Sequence, residues 1–338
     1  MKPGARRGLV AAAATAATAA AVGAAWRKSP WPSALAVRAA FTLGARRATR
    51  SLAHHVPDDV TGLLDERYAP GGREGLLDVW LPTAAERRGE ALPTVVWVHG
   101  GGWVAGDKSE IANYLRILAG RGYTVIGVNY PIAPRATYPT PTRRVNDALR
   151  HIVSHARRLH VDPTRIVLAG DSAGAHIAAQ VAAITTVPGY AETVGIEPAL
   201  APEQLRAALL HCGPYDPGLV DLHGTDAGSV FVRTILRAYL GTAHLDDDPR
   251  LAEASLAEHV TADFPPTLVT GGNGDPLTPQ GRRFAEALSQ KGVHVESLFF
   301  DEDHLPRLLH EYQFDLDGED GQAALEATAI FLEAHTAP

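Results

Sequence analysis

From about residue 64 onward, short apolar runs alternate with stretches of helical character, and this order restricts the fold more than any other feature of the chain. Several runs are continuous, which is typical of strands buried on both faces. A chain that repeats strand and helix in turn builds a parallel sheet covered by helices. We therefore predict an α/β fold with a mostly parallel central sheet. Its strands are predicted at 76–81, 94–98, 123–128, 166–169, 207–210, 267–270 and 293–300.

One segment interrupts this order. Between about 214 and 262, two or three helical pieces, for example 230–240 and 251–259, follow one another without a clear strand between them. We interpret this segment as an inserted helical cap. Further helices are predicted at 143–159, 173–183 and 279–290.

The amino-terminal residues differ in composition from the rest of the chain. Three basic residues precede an uncharged stretch over 9–26, and Arg27 and Lys28 follow it. This pattern predicts a signal peptide or membrane anchor over 1–30, hence a membrane-associated or exported protein, with a cytoplasmic one left open. As a helix the stretch would be about 27 Å long, against the roughly 30 Å of a bilayer core. Because the stretch is mostly alanine, its insertion into a bilayer would be only marginally favourable.

Residues 31–63 are predicted to form an amphipathic helical region that either binds a surface or covers a pocket as part of the cap, and we favour the cover. Within it, 33–56 carries several arginines beside apolar residues, which is typical of a basic amphipathic helix. Residues 64–338 are predicted to form the main α/β domain.

Composition excludes some classes of partner. The net charge is −7 and the charged residues are scattered, so the chain offers no basic stripe for nucleic acid. A small-molecule substrate is expected instead. The single cysteine, Cys212, permits no intrachain disulfide, and its apolar surroundings predict a buried thiol.

The segment 170–174, Gly-Asp-Ser-Ala-Gly, lies between a predicted strand and a helix rich in small residues. A serine at such a sharp turn is held in strained backbone with its hydroxyl exposed. The flanking glycines remove the Cβ atoms that would crowd the crossing of strand and helix. The pattern therefore predicts that Ser172 is a nucleophile.

A second motif, His-Gly-Gly-Gly-Trp at 99–103, follows the predicted strand at 94–98. Such a loop can direct backbone N–H groups at the oxygen that gains negative charge during acyl transfer. We predict an oxyanion hole formed by Gly101, Gly102 and Ala173. The lysine and the serine or threonine of a phosphate-binding loop are absent, which argues against that class of loop.

A serine nucleophile needs a base, and the base needs an acid to orient it. In this fold type the acid and then the histidine follow the serine along the chain. We predict Asp275 as the acid and His304 as the base, because each lies in a loop at the carboxyl end of a predicted strand. His310, six residues further on, is the main alternative base.

No metal and no cofactor are predicted. His151 and His155 lie on one helix face, but no further ligand is evident nearby, and surface histidines are the commoner explanation. His310-Glu311 lacks the second histidine of a zinc-protease motif, because position 314 is Phe314.

Over residues 76–338, the chain resembles the hormone-sensitive-lipase-like branch of the α/β-hydrolases, which includes bacterial carboxylesterases. The resemblance rests on His99-Gly100-Gly101-Gly102-Trp103, on Gly170-Asp171-Ser172-Ala173-Gly174, on Asp275-Pro276-Leu277, and on His304 after the last predicted strand.

The resemblance implies an α/β-hydrolase fold and a serine carboxylesterase that hydrolyses short- to medium-chain esters through an acyl-enzyme. It implies the same triad and oxyanion hole, with His99 shaping the glycine loop. Trp103 together with the segment 174–176 is also similar to kynurenine-formamidase-like and feruloyl-esterase-like members. An amidase or arylformamidase therefore stays open, as do a non-catalytic ligand-binding protein, a membrane-surface interaction protein and the oligomeric state.

Overall fold

The computed structural model describes residues 29–337, without the side chains of residues 45–48. The predicted signal peptide or anchor lies almost wholly outside these residues. The described part of the chain contains one eight-stranded sheet in the order β1-β2-β4-β3-β5-β6-β7-β8, in which β3 to β8 are parallel. The strands are β1 (Val60–Arg67), β2 (Leu76–Pro82), β3 (Leu92–Val98), β4 (Thr124–Val128), β5 (Val161–Asp171), β6 (Leu205–His211), β7 (Thr267–Gly271) and β8 (Val295–Phe299). The predicted fold class is confirmed.

Side chains of successive strand residues enter two different cores. In β3, Val96 and Val98 pack on one face of the sheet, whereas Val95 and Trp97 pack on the other. Because residues two apart in a strand share a face, a continuous apolar run fills both cores at once. This explains why the central strands show no alternation with polar residues.

The helices cover both faces. Helices α4, α5 and α9 pack on the larger core, and α3 and α10 on the smaller one. The helices are α1 (Trp31–Ser51), α2 (Thr83–Arg88), α3 (Ala112–Ala119), α4 (Thr140–Ser154), α5 (Ala173–Thr186), α6 (Tyr190–Val194), α7 (Ala227–Leu240), α8 (Pro249–Ala254), α9 (Thr278–Gln290) and α10 (Glu319–Thr336). Among the helices within residues 29–337, none has both the length and the apolar character needed to cross a bilayer.

The predicted boundary of the amphipathic helical region at residue 63 is wrong, because β1 begins at Val60 and crosses it. β1 is an edge strand that pairs antiparallel with β2, and its register shifts between Leu63 and Glu66. An edge strand is buried on few sides, so it needs no continuous apolar run. For that reason its sequence lacks the signal that identified the other strands.

Two elements from distant parts of the sequence meet above the carboxyl ends of the strands. Helix α1 precedes the sheet, and α7 and α8 lie between β6 and β7. Phe41 of α1 and Phe231 of α7 form an edge-on ring contact, with centroids 6.0 Å apart. The amino-terminal helix and the segment between β6 and β7 therefore cover the same end of the sheet.

Candidate active site

Ser172 lies at the tight turn between β5 and α5. Its backbone has φ 52° and ψ −125°, a conformation that L-residues rarely adopt. Its N–H donates to the carbonyl oxygen of His211 at the end of β6 (2.8 Å), which fixes the turn to the sheet. A Cβ at Gly174 would overlap the carbonyl oxygens of Val98 and His99. The glycine thus permits α5 to start directly against the end of β3.

The histidine that contacts this serine is His310. Its Nε2 lies 2.9 Å from Oγ of Ser172, and its Nδ1 lies 2.8 Å from Oδ2 of Asp275. In this pairing the serine hydroxyl donates to Nε2, and Nδ1–H donates to the carboxylate. The structure thus brings Ser172 and Asp275 together through one imidazole, in the geometry of a nucleophile, base and orienting acid.

The prediction of His304 as the base is wrong. Its Nε2 lies 3.1 Å from Oδ1 of Asp320 in α10, and its ring packs against Phe300. A turn in which the His304 N–H donates to the Asp301 carbonyl (3.1 Å) keeps it near the end of β8. Ser172 follows β5, three strands away, which is about 14 Å at the usual strand spacing. His304 is five residues past the end of β8, and because this segment contains a turn, it does not span the distance from β8 to Ser172.

Asn273, which the sequence analysis did not single out, holds the loop that carries His310. Its Nδ2 donates to the carbonyl oxygen of His304 and its Oδ1 accepts from the Leu308 N–H, each at 2.8 Å. The Gly274 N–H also donates to the Leu308 carbonyl (2.8 Å). The loop after β8 is therefore fastened to the loop after β7, which carries Asp275. The Gly-Gly-Asn-Gly run before Asp275 was the only signal of this role.

The Asp275 side chain is fully buried. Its Oδ1 accepts from the Leu277 N–H (2.8 Å) while Oδ2 faces His310. A buried carboxylate needs such partners, since an unpaired charge out of water is costly. Its environment therefore favours one fixed position, from which it orients the imidazole.

Opposing effects act on the pKa of His310. Burial lowers this pKa, but the electrostatic interaction with Cys212, the hydrogen bond to Asp275 and the charge of Glu311 outweigh burial and hold it well above the ordinary value. Burial also raises the pKa of the Cys212 thiol. The carboxylates of Asp275 and Glu311 both favour the imidazolium.

The glycine loop bends around the carbonyl oxygen of Gly101, which accepts from the N–H groups of Val104 and Ala105 at 3.1 and 2.9 Å. Gly101 and Gly102 have φ of 111° and 58°, which glycine adopts without strain. Within residues 29–337, the N–H groups of Gly101, Gly102 and Ala173 donate to no protein acceptor. These are the three donors that the sequence analysis assigned to an oxyanion hole.

Buried side chains support this loop from behind. Asp171 accepts from Nε1 of Trp97 at 2.7 Å and from the Gly100 N–H at 2.8 Å. Burial and the adjacent charge of Glu311 raise the pKa of Asp171 well above its usual value. His99 stacks on Tyr130 with ring centroids 4.4 Å apart, and Tyr130 donates to the His99 carbonyl (2.8 Å). Asp171 thus joins the nucleophile turn to the glycine loop.

A cavity of about 710 Å³ opens above Ser172. Ser172, Ala173 and His310 lie at its base, while α1, α7 and the segment before α7 supply its walls. Most of the wall is apolar, with Phe41, Trp103, Leu219, Val220, Phe231, Val232, Ile235, Leu236 and Leu277 among its residues. Such a cavity suits a small molecule with an apolar portion.

The two histidines weighed as metal ligands have other partners. His151 and His155 stack with ring centroids 4.1 Å apart, and Nε2 of His151 lies 2.8 Å from Oε1 of Glu66. Cys212, adjacent to the triad, is buried as predicted.

The family model described as alpha/beta hydrolase fold matches residues 95–304 of this chain. The match spans more than half of the chain and includes the carboxyl-terminal part of β3, the nucleophile turn and the segment between β6 and β7. This chain belongs to the α/β-hydrolase family. The matched region ends at His304, so the assignment of the base rests on the geometry at His310.

Proteins similar in sequence to this chain include two esterases of Mycobacterium tuberculosis. LipQ is 31% identical over 240 residues, covering 69% of this chain and 54% of LipQ. LipI is 33% identical over 232 residues, covering 67% of this chain and 68% of LipI. The chain thus spans little more than half the length of LipQ.

Among solved structures, that of esterase B from Lactobacillus rhamnosis is similar. The TM-score is 0.75 at 25% identity, over 90% of this chain and 96% of esterase B. A second structure of that esterase, described as inhibited by a tributyrin phosphonate, matches with a TM-score of 0.76 over the same shares.

Proposed function

We propose that this protein is a serine carboxylesterase that hydrolyses short- to medium-chain carboxylic esters. The observation that carries the proposal is the hydrogen-bonded series Ser172, His310 and Asp275 at the base of an apolar cavity. A lone serine hydroxyl is a weak nucleophile at neutral pH, and this series supplies the base it needs. The named esterases among the relatives support the choice of ester over other acyl substrates.

In the proposed first step, Nε2 of His310 takes the proton of Ser172 while Oγ attacks the acyl carbon. The carbonyl oxygen becomes an oxyanion facing the N–H groups of Gly101, Gly102 and Ala173. Each preorganised donor contributes about 3 to 4 kcal/mol to stabilising this charge. Asp275 accepts from Nδ1–H throughout and stabilises the imidazolium that forms.

The imidazolium then gives its proton to the alcohol oxygen as that bond breaks, leaving an acyl group on Ser172. In the second step His310 takes a proton from water, which attacks the acyl carbon, and the histidine returns the proton to Oγ of Ser172. The acid product leaves and the serine is regenerated. Every proton transfer uses Nε2, which faces both the serine and the cavity.

We also propose that residues 1–30 direct the protein to the cell envelope, as a signal or an anchor. The support is the uncharged stretch at 9–26 with basic residues on both sides.

The test of the esterase proposal is hydrolysis of p-nitrophenyl esters from acetate to palmitate, together with the matching anilides. We expect the highest kcat/KM among the short and medium chains and far slower anilide cleavage. An alkyl phosphonate with a p-nitrophenyl leaving group should inactivate the enzyme with a 1:1 mass increase on the peptide that carries Ser172. Turnover of the anilides alone, or of no substrate, would overturn the proposal.

The raised pKa of His310 predicts the acid limb of the pH profile. The neutral imidazole is the active base, so kcat/KM should rise with pH, with a midpoint above the unperturbed value of about 6.5. Oε1 of Glu311 lies 3.9 Å from Nε2 of His310 and favours the imidazolium. Glu311→Gln should therefore move the midpoint to lower pH. Glu302→Gln makes the same substitution at an exposed residue between β8 and His310 that is not among the main causes of the His310 shift, so this matched control should leave the midpoint unchanged.

The profiles are measured as kcat/KM for a short-chain ester between pH 5 and 9. A midpoint that stays in place or moves to higher pH in Glu311→Gln would contradict this account of the site.

A further inference from the structure

The outward face of the first part of α1 is apolar. Trp31, Leu35, Ala39 and Leu43 recur at four-residue intervals and are exposed, and the exposed Ala36, Ala40 and Gly44 widen the same face. Helices on the surface of a soluble domain normally turn their polar side outward. This helix does the reverse over residues 31–44.

The one charged residue in that part of the helix points inward. Nε of Arg38 donates to the carbonyl oxygen of Val104 at 2.7 Å, and its second terminal nitrogen donates to that of Ala133 at 2.9 Å. The guanidinium thus fastens α1 to the loop that follows the oxyanion glycines. Between residues 31 and 44, no charged side chain interrupts the outward face.

The same helix forms part of the cavity rim. Phe41 lines the cavity and contacts Phe231 of α7, and Phe231 and Leu219 are both exposed and cavity-lining. Helix α1 therefore carries both the outward apolar face and part of the wall that leads to Ser172. A contiguous exposed apolar patch of this kind marks a surface that another apolar phase covers.

The residues that precede α1 indicate that the apolar phase covering this surface is lipid. The uncharged stretch at 9–26 ends five residues before Trp31, a distance of at most about 18 Å even when fully extended. A bilayer that binds the stretch at 9–26 therefore lies beside the amino-terminal end of the apolar face. A tryptophan at this boundary is typical of the interface between lipid and water.

We propose that the apolar face of α1, together with the cavity rim at Leu219 and Phe231, docks onto a lipid bilayer. The cavity mouth then opens toward the lipid, and an ester dissolved in the bilayer reaches Ser172 without crossing water. This last consequence rests on the proposed esterase activity, whereas the docking itself does not. The contact is apolar, so added salt should not release it.

The test uses the full chain with phosphatidylcholine vesicles that contain acyl-chain-brominated lipid, which quenches nearby tryptophan. Wild type should show a quenched component that Trp31→Phe lacks, and 1 M salt should not remove it. Equal quenching in both proteins would place α1 away from the bilayer and overturn the proposal.

A second arm compares Leu35→Glu/Leu43→Glu with Leu64→Glu/Ile330→Glu. The four residues are exposed to similar extents, 49% and 64% against 58% and 56%, but the second pair lies on β1 and α10. Both variants should hydrolyse soluble p-nitrophenyl acetate within twofold of wild type. Only the α1 variant should lose at least about tenfold on a medium-chain ester carried in the vesicles.

Each remaining outcome has a defined meaning. Equal losses in the two variants, or a dimer that the α1 variant dissociates without any Trp31 quenching, would overturn lipid docking in favour of another partner. Failure of wild type on every ester would reject the esterase proposal, while the quenching arm would still decide the docking.

Discussion

Replacing His310 with alanine is expected to lower kcat/KM for a short-chain p-nitrophenyl ester by roughly 10⁴-fold or more, the loss typical of removing a triad base. His310 is the imidazole in hydrogen-bond contact with Oγ of Ser172, at 2.9 Å. Without it the serine keeps its proton and its nucleophilicity falls. Ser172→Ala should be equally inactive, since the two residues act as a unit.

His304→Ala is the matched control, because it makes the same substitution in the same loop. Its ring pairs with Asp320 and not with Ser172. Both side chains of that pair are partly exposed, so its removal should cost at most about 1 kcal/mol of folding free energy. We expect kcat/KM within threefold of wild type. The reverse result, an active His310→Ala and an inactive His304→Ala, would reject the triad described here.

Gly174→Ala is expected to damage both activity and folding. A Cβ there would overlap the backbone carbonyls of Val98 and His99, and these atoms cannot move without shifting the end of β3. The new methyl group therefore pushes the nucleophile turn away from the glycine loop. Overpacking of this kind costs roughly 1–3 kcal/mol of stability. A displacement of about 1 Å between the reacting groups can lower kcat by about 100-fold.

Gly44→Ala is the control for this substitution. A Cβ at Gly44 meets no atom within 4 Å, and the residue lies in α1. Alanine is the better helix former, so this variant should be neutral or more stable by up to about 1 kcal/mol. Thermal unfolding and kcat on a soluble ester measure both effects. A Gly174→Ala enzyme as stable and active as Gly44→Ala would show that the turn tolerates a side chain.

The contacts that select His310 rather than His304 as the base are not encoded in the local sequence. Two histidines, His304 and His310, lie in the segment between β8 and α10, and both were recognised as candidates. The choice between them depends on which one reaches across three strands, and that is set by the turn at Asp301 and by the contacts of Asn273 with His304 and Leu308. These contacts join residues about 30 positions apart, as Asn273 and His304 illustrate. No local pattern around either histidine encodes them.

Elsewhere the sequence by itself determined a great deal. The strand-turn-helix at Ser172, the glycine loop at 99–103 and the central parallel strands depend on local chemistry: strained turns need glycine, and strands buried on both faces need continuous apolar runs. Their positions could therefore be read directly. The edge strand β1 was not predicted, because it is only partly buried and its sequence has no continuous apolar run.

Only the tertiary structure decided how these parts combine. It placed His310 rather than His304 at the serine, put the buried Asp171 behind the glycine loop, and turned Arg38 inward so that α1 presents an apolar face. Each of these depends on atoms from segments distant in sequence, whose approach is fixed by packing of the whole domain. Local sequence specifies which chemistry a segment can perform, whereas long-range packing determines which of the available groups meet.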